Sequence, residues 1–417
     1  MRMIKNSTFK TLLLVAASGL LAIGCSEDDA TKTEPVIEAL LLDCADITVP
    51  TVLKNRGAGV DYIWPCYKNI EASLIIEPGV TIAFEEGAGM RVSDYGSRTG
   101  SLYAVGTEAL PIVFTSVNKT PGAWKNIEFS SSRMDNKLQH CVIEYAGNND
   151  GQLAALSTES LYNSKVEIKN TAIRNNKGIG VSIWKEANIE GWSTNTISNN
   201  GGYPLEIAPN KVRFLDGAQS TYTNNVKNQI NVYSRSVLNT KRGYITAVDG
   251  PTHTWVNPGV PFHVSEFLYV TENGHLRIME GCQITFGQEY GLAVQGEGEI
   301  LEVLGTESKP VHFSGLFGAG SWKGISIENS NSNDNKIQNA TIADAGQSSW
   351  NWWLTSAAAI SLGFPTPKNV KLQLKNVHIK NSGGCGIAMK NNINLSGLIF
   401  EGVTYSNNVG SDVCTQD

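Results

Sequence analysis

Leu74-Ile-Ile-Glu-Pro-Gly-Val-Thr-Ile-Ala-Phe84 lines up with Leu276-Arg-Ile-Met-Glu-Gly-Cys-Gln-Ile-Thr-Phe286. Each phrase is two short runs, apolar at alternate positions, on either side of a Gly turn. That is the period-two pattern of strands that bury one face. The correspondence continues in order along the chain. Gly106-Thr-Glu108, Pro111 and Phe114 recur as Gly305-Thr-Glu307, Pro310 and Phe313. Trp124-Lys125 with Ile127 recurs as Trp322-Lys323 with Ile325, and Asn136-Lys137, Ile143 and Ala146-Gly147 recur as Asn335-Lys336, Ile342 and Ala345-Gly346. Lys169-Asn170, Ile173, Asn175, Gly178 and Gly180 recur as Lys375-Asn376, Ile379, Asn381, Gly384 and Gly386, and Ser198-Asn-Asn200 recurs as Ser406-Asn-Asn408. An ordered series at nearly constant offset reads as a duplication, with copies at 41–235 and 236–417.

Within a copy the pattern is finer. Val166-Glu-Ile-Lys169, Asn170, Ala172-Ile173, Asn175-Asn176 and Gly180-Val-Ser-Ile183 are strands of three to five residues between Asn and Gly turns. Strands this short do not make a sandwich of normal length, but they can wind as stacked coils of a solenoid. The repeat predicts inward stacks containing Ile82, Phe84, Ile127, Ile173, Ile284, Phe286, Ile325 and Ile379. Asn170 and Asn376 are expected at a buried turn, their amides stacked as a ladder, with Gly supplying positive φ. Trp124 and Trp322 are expected to cover a coil edge beside solvated Lys125 and Lys323. Composition agrees with an all-β chain: 417 residues, 41 Gly and 17% charged, with 41% hydrophobic residues to build a core. The formal charge is −6, and the first 24 residues hold Arg2, Lys5 and Lys10 without an acid, so the rest is more acidic still. No nucleic-acid partner is expected of such a surface.

The phrases Ile76-Glu-Pro-Gly-Val-Thr-Ile-Ala-Phe84, Ala104-Val-Gly-Thr-Glu108, Pro111-Ile-Val-Phe114, Trp124-Lys-Asn-Ile127 and Ile143-Glu-Tyr-Ala-Gly147 resemble secreted bacterial right-handed parallel β-helix proteins. That group shares its fold with the pectate-lyase-like superfamily. The resemblance covers nearly all of 45–410 and implies the fold; it does not choose an activity, because the fold carries lyases, hydrolases, adhesins and binding proteins.

The N-terminus reads as an export signal. A basic start precedes the apolar run Leu12 to Ile23, too short to span a bilayer. Leu21-Ala-Ile-Gly-Cys25 resembles a lipobox, which implies cleavage after residue 24, lipidation of Cys25 and a flexible tether over 25–40. Several acyl chains on one residue give stable anchoring. Ser26 resembles the outer-membrane sorting signal, and Glu27-Asp-Asp29 the acidic tag of surface-exported lipoproteins in some Gram-negative groups. The outer membrane, through this anchor, is therefore an expected partner. Of the other cysteines, Cys44 with Cys66 and Cys385 with Cys414 lie near the two ends of the fold, where each pair can staple a terminal region. Cys141 and Cys282 sit in apolar strand patterns and read as buried thiols.

The hydrolases of the superfamily carry Asn-Thr-Asp, Asp-Asp, His-Gly and Arg-Ile-Lys motifs, and none occurs in the solenoid; the only Asp-Asp is Asp28-Asp29 in the tether. Lyases place carboxylates on calcium beside an Arg or Lys, and no local cluster of several Asp with an Arg is visible. No cofactor or metal is expected, calcium entering only for a lyase. Glu144 reads as a solvent-facing strand residue, and His140, His253, His263, His275, His312 and His378 as isolated structural residues. Trp350-Asn-Trp-Trp353 lies in a stretch, 347–355, where the second copy carries about seven extra residues. An insertion loops out of a solenoid, and indoles stack on sugar rings, so Trp350, Trp352 and Trp353 are the candidate ligand platform, for a polysaccharide. The expectation is a lipid-anchored surface β-helix without catalysis that binds glycan or another surface ligand, or serves as a rigid scaffold. The alternative is a polysaccharide lyase or hydrolase. A groove with two or three carboxylates and a base within hydrogen-bond reach favours the enzyme; an Asn/Ser/Thr surface favours the binder.

Overall fold

The computed structural model describes residues 37–57, 59–148, 154–159, 163–235, 240–350, 354–363, 369–391 and 393–416. Cys25, Trp352 and Trp353 lie outside the described residues. From Ile37 to Asp417 the chain is one compact unit: an all-β, right-handed parallel β-helix of about 14 turns. Each turn in the first half contributes one strand to each of three faces. Ser73–Ile76, Thr81–Phe84 and Gly89–Ser93 are one such set, and we call their columns the first, second and third faces. Short strands form because each coil turns a corner every few residues. Many corners are asparagines in the left-handed region, including Asn170, Asn175, Asn199, Asn224, Asn376 and Asn407, a conformation that Asn tolerates better than most residues.

The register stacks apolar side chains along the axis. On the second face Ile82 lies beside Phe114, Phe114 beside Ile143, Ile143 beside Ile173 and Ile173 beside Ile197. All eight residues expected in the inward stacks are buried. The two tryptophans are inside rather than over a coil edge. Trp124 stacks on Phe84 with centroids 4.1 Å apart, and Trp322 on Phe286 at 4.4 Å. Each indole N–H donates to a backbone carbonyl at 2.8 Å, of Glu144 and of Ala343. That bond satisfies the one polar atom of a large apolar side chain, so the core is the lower-energy place for it. Lys125 and Lys323 are half-buried, their ammonium groups 5.1 Å from the Tyr67 ring and 5.8 Å from that of Trp350.

A buried asparagine ladder forms six residues along from Asn170, while at the expected position Asn376 Nδ2 donates to Asn339 Oδ1 at 3.1 Å on an exposed corner. Asn170 and Asn376 are exposed. The buried ladder is Asn176, Asn200 and Asn225, in which Asn176 Nδ2 donates to Asn200 Oδ1 and Asn200 Nδ2 to Asn225 Oδ1, each at 2.9 Å. The left-handed corner turns Asn170 outward, whereas the second Asn of each Asn-Asn pair turns in, where backbone amides need acceptors. Both terminal cysteine pairs are disulfide-bonded, and Cys141 and Cys282 are buried thiols.

Near the middle the coil rotates by one face. The third-face strand Ile230–Val232 pairs on one side with Leu205–Ile207 and on the other with Phe262–Val264, which pairs on to Gln283–Phe286. Those last two strands match Tyr62–Trp64 and Thr81–Phe84, second-face strands of the first half. Third-face positions of the first half therefore find their sequence counterparts in a separate sheet, through Phe267–Val270, Gly291–Val294 and Gly324–Ile327.

Candidate functional site

Outward-pointing strand residues usually meet water. On the third face they do not: Ser157, Ser182, Glu206, Asn231 and His263, on successive turns, each expose 5% or less. Residues at the strand ends flank this column. Tyr203 stacks on His263 with centroids 6.1 Å apart and carries Lys227 over its ring at 4.7 Å, while Arg235 Nε donates to Glu206 Oε1 at 2.6 Å from the strand exit. The result is a polar trough. Ser182 Oγ donates to Glu206 Oε1 at 3.3 Å, Asn231 Nδ2 to Glu206 Oε2 at 3.0 Å, and Ser265 Oγ to Asn231 Oδ1 at 2.8 Å.

One end of the trough is charged. Arg91 and Glu128 continue the same column. Arg91 Nε lies 3.2 Å from Glu128 Oε1, and its Nη2 is in contact with Glu159 Oε2. The Ser130 hydroxyl meets both carboxylates, touching Glu159 and standing 3.5 Å from Glu128 Oε1. The Tyr67 hydroxyl donates to Glu128 Oε2 at 3.5 Å. Burial pushes the Glu128 carboxyl above the usual carboxylate range, with Arg91 opposing, and burial together with Glu128 raises the Tyr67 phenol. Next along, Asn126 Nδ2 donates to Ser157 Oγ at 3.1 Å, and Asn126 Oδ1 is buried without a partner.

These five charged residues (Arg91, Glu128, Glu159, Glu206 and Arg235) were missed as a site because they are far apart in sequence. One signal was available. Arg91 and Glu128 align with Ala293 and Ser326 in the second half, so the charge appears in the first half only. In that second sheet the corresponding outward column is Ala293, Ser326, Ser361 and Ala388, all small. Trp350 lies against it. Its ring occupies the space beside Gly291, where an added Cβ would stand 2.4 Å from the indole, and Phe267 meets it edge-on at 6.2 Å. Its Nε1 is buried and has no partner among the described residues. Of the three candidate platform residues, the one described is thus half-buried on the solenoid.

Other sequence expectations change. Glu144 is buried, accepting from Thr115 Oγ1 and from Arg174 Nε, each at 3.0 Å. His275 is not isolated: its Nε2 lies 2.6 Å from Glu302 Oε2, which also accepts from Arg277 Nε at 2.7 Å. Lys336 Nζ stands 3.0 Å from Glu302 Oε1. His253 is fully buried. Among the described residues, no group of three or more His, Cys, Asp or Glu side chains is placed to hold a metal ion.

No protein-family model matches the chain, and no curated protein matches it. A solved structure that it resembles is the catalytic domain of a GH87 α-1,3-glucanase variant in complex with tetrasaccharides. The identity is 13% and the TM-score 0.23, over 88% of this chain; the chain spans 66% of the length of that one. A superposition this loose carries no argument about function.

Proposed function

We propose that this chain is a glycan-binding β-helix whose ligand lies along the third-face trough, presented at the cell surface by lipid on Cys25. The observation that carries the reading is the column of polar, buried, outward-facing side chains on successive turns. Strand spacing in a parallel coil is about 4.8 Å, close to the rise of one sugar residue in an extended chain, so each turn can offer one residue its hydrogen bonds. The buried Ser, Asn and Glu hold one another in place, and the groups left to a hydroxyl-rich ligand are the part-exposed ones on the flanks, Tyr203, Lys227 and Arg235. A platform at Trp350 and its neighbours is the weaker reading, since Trp350 packs on the solenoid.

A second reading, polysaccharide hydrolysis at Glu128 and Glu159, is favoured by the meeting of two carboxylates at Ser130 in different surroundings. Against it, the position a base would need is filled by Arg91, which keeps its proton at any ordinary pH and ties up both acids. A glycan array with the protein and its Arg91→Ala and Glu206→Gln variants tests the first reading; binding unchanged in both variants would sink it. Release of reducing ends that disappears in Glu128→Gln would replace it with the second. A Cys25→Ala variant that stays equally membrane-bound would refute the anchor.

A further inference from the structure

The rotation of the coil opens a cavity. After the third-face strand Leu205–Ile207, a short 3-10 turn, Pro209–Phe214, stands where a first-face strand would be. A cavity of about 310 Å³ lies there, walled by Lys185, Asn210, Ser234, Tyr244, Asp249 and Glu272. Ser234 belongs to this cavity and its neighbour Arg235 to the trough, so the two share a wall; Lys185 N–H donates to Arg235 O at 3.2 Å across it.

The wall mixes donors and acceptors. Asn210 is 5% exposed, and its Oδ1 has no partner among the described residues. Ser234 commits both its N–H and its hydroxyl to Glu266 Oε1, each at 2.8 Å. Glu266 is fully buried behind it, and its second oxygen has no partner among the described residues. Gly243 leaves room for that carboxyl: a Cβ there would stand 2.3 Å from Glu266 Oε1. Thr246 Oγ1 donates to Asp249 Oδ2 at 3.1 Å and fixes its direction. Tyr244 stacks on Tyr269 at 5.7 Å, with Lys185 Nζ 5.8 Å from its ring centroid. The wall offers the Asp249 and Glu272 carboxylates as acceptors and, as donors, the Lys185 ammonium, the Tyr244 hydroxyl and the Asn210 amide. Such a mixture suits hydroxyl groups, which both donate and accept, and a ligand carboxylate would face Asp249 and Glu272.

We infer that this cavity holds one neutral or amino-substituted hexose unit, a side residue of a glycan lying in the trough, and rejects uronates. The inference rests on the glycan reading above and adds a site and a selectivity to it. Burial raises the Glu266 carboxyl to about 7, so near neutral pH it adds less negative charge behind Ser234 than an exposed carboxylate would.

The test is calorimetric titration of the full-length protein in detergent with D-glucose, D-glucosamine and D-glucuronate. Glucose and glucosamine are expected to bind and glucuronate not to. Asn210→Ala should weaken both binders by about tenfold or more. Glu272→Gln, at an exposed position that leaves folding alone, should weaken glucosamine more than glucose. Lys309→Ala, at an exposed corner outside both trough and cavity, should leave both unchanged. No binding of either hexose, equal binding of glucuronate, or indifference to both cavity variants overturns the inference. Polysaccharide binding without monosaccharide binding overturns the cavity and leaves the trough standing. The reverse result overturns the trough and leaves the cavity.

Discussion

Replacing Asn200 with alanine isolates what the internal amide ladder contributes. Asn200 Oδ1 accepts from Asn176 N at 3.2 Å and Asn176 Nδ2 at 2.9 Å, while its Nδ2 donates to Ile173 O at 3.1 Å and Asn225 Oδ1 at 2.9 Å. Alanine removes all four bonds. The Asn176 amide N–H then loses its acceptor and Ile173 O its side-chain donor, whereas Asn176 Nδ2 keeps a 3.4 Å bond to Ile143 O. A buried polar group without a partner costs about 1–3 kcal/mol, so the substitution should cost about 3 kcal/mol. Solenoids open locally, and amide hydrogen exchange reads this best. At about 1.4 kcal/mol per decade, exchange of the Asn176 and Gly201 amides should accelerate roughly 100-fold. The control is Asn170→Gly, at an exposed corner with φ of 48° where glycine is at ease; it should change stability by less than about 0.5 kcal/mol. Equal exchange at these amides in Asn200→Ala and the parent would refute the ladder's role.

Ile127→Ala, which empties a fully buried inward position, should cost about 2–5 kcal/mol in urea unfolding; a far smaller loss would place Ile127 outside the core. Cys385→Ala with Cys414→Ala removes a bridge closing 29 residues and should destabilise the last turns by about 3–4 kcal/mol in the chain-entropy account, read as faster exchange in the strand Val413–Gln416. Glu266 is raised in the folded protein to about 7 from 4.5, so between those values the folded state binds more protons than the unfolded one and stability falls as pH rises. Its protonation stabilises fully below about pH 4.5, and the benefit, about 3 kcal/mol, is lost as pH rises through 7. Glu266→Gln should therefore raise the melting temperature at pH 8 relative to the parent and leave it nearly unchanged at pH 4.5; equal effects at the two would disprove the linkage. Oligosaccharide affinity should climb with length up to about seven residues, as more rungs of about 4.8 Å are filled, and a plateau at two or three would confine the ligand to one end of the trough.

The fold was legible because its cause is periodic. Alternation around Ile82 and Phe84, repeated at Ile284 and Phe286, leaves few ways to bury one face of many short strands. The internal place of Trp124 and Trp322 was not, because it depends on carbonyls of the next coil, about 20 residues away, that happen to face the indole N–H groups. The asparagine error has the same origin. Asn170 and Asn176 look alike in sequence, and only the corner geometry sends one outward and the other in. The trough was least legible of all. Arg91, Glu128 and Glu159 meet across intervals of 37 and 31 residues, and their chemistry exists only once the coils stack.

Rotation of the coil determines how far the trough runs. Had the second half continued in phase, the column from Arg91 to Asn231 would have run on into a second-half strand of third-face type, such as Gly291–Val294, whose column is Ala293, Ser326, Ser361 and Ala388. These are small side chains with no charge to offer, and Trp350 lies over the strand end at Gly291. Instead Asn231 is followed in register by His263 and Thr285, and the hydrogen bond between His263 Nδ1 and Thr285 Oγ1, at 3.3 Å, carries the polar column across the boundary. At about 4.8 Å per rung the eight positions from Arg91 to Thr285 span roughly 34 Å. The same rotation replaces a first-face strand by the Pro209–Phe214 turn and so opens the cavity behind Ser234. One change of phase therefore lengthens the trough, places an open cavity beside it at Ser234 and turns the uncharged column to another side of the solenoid, which is why residues that match in sequence do not match in chemistry.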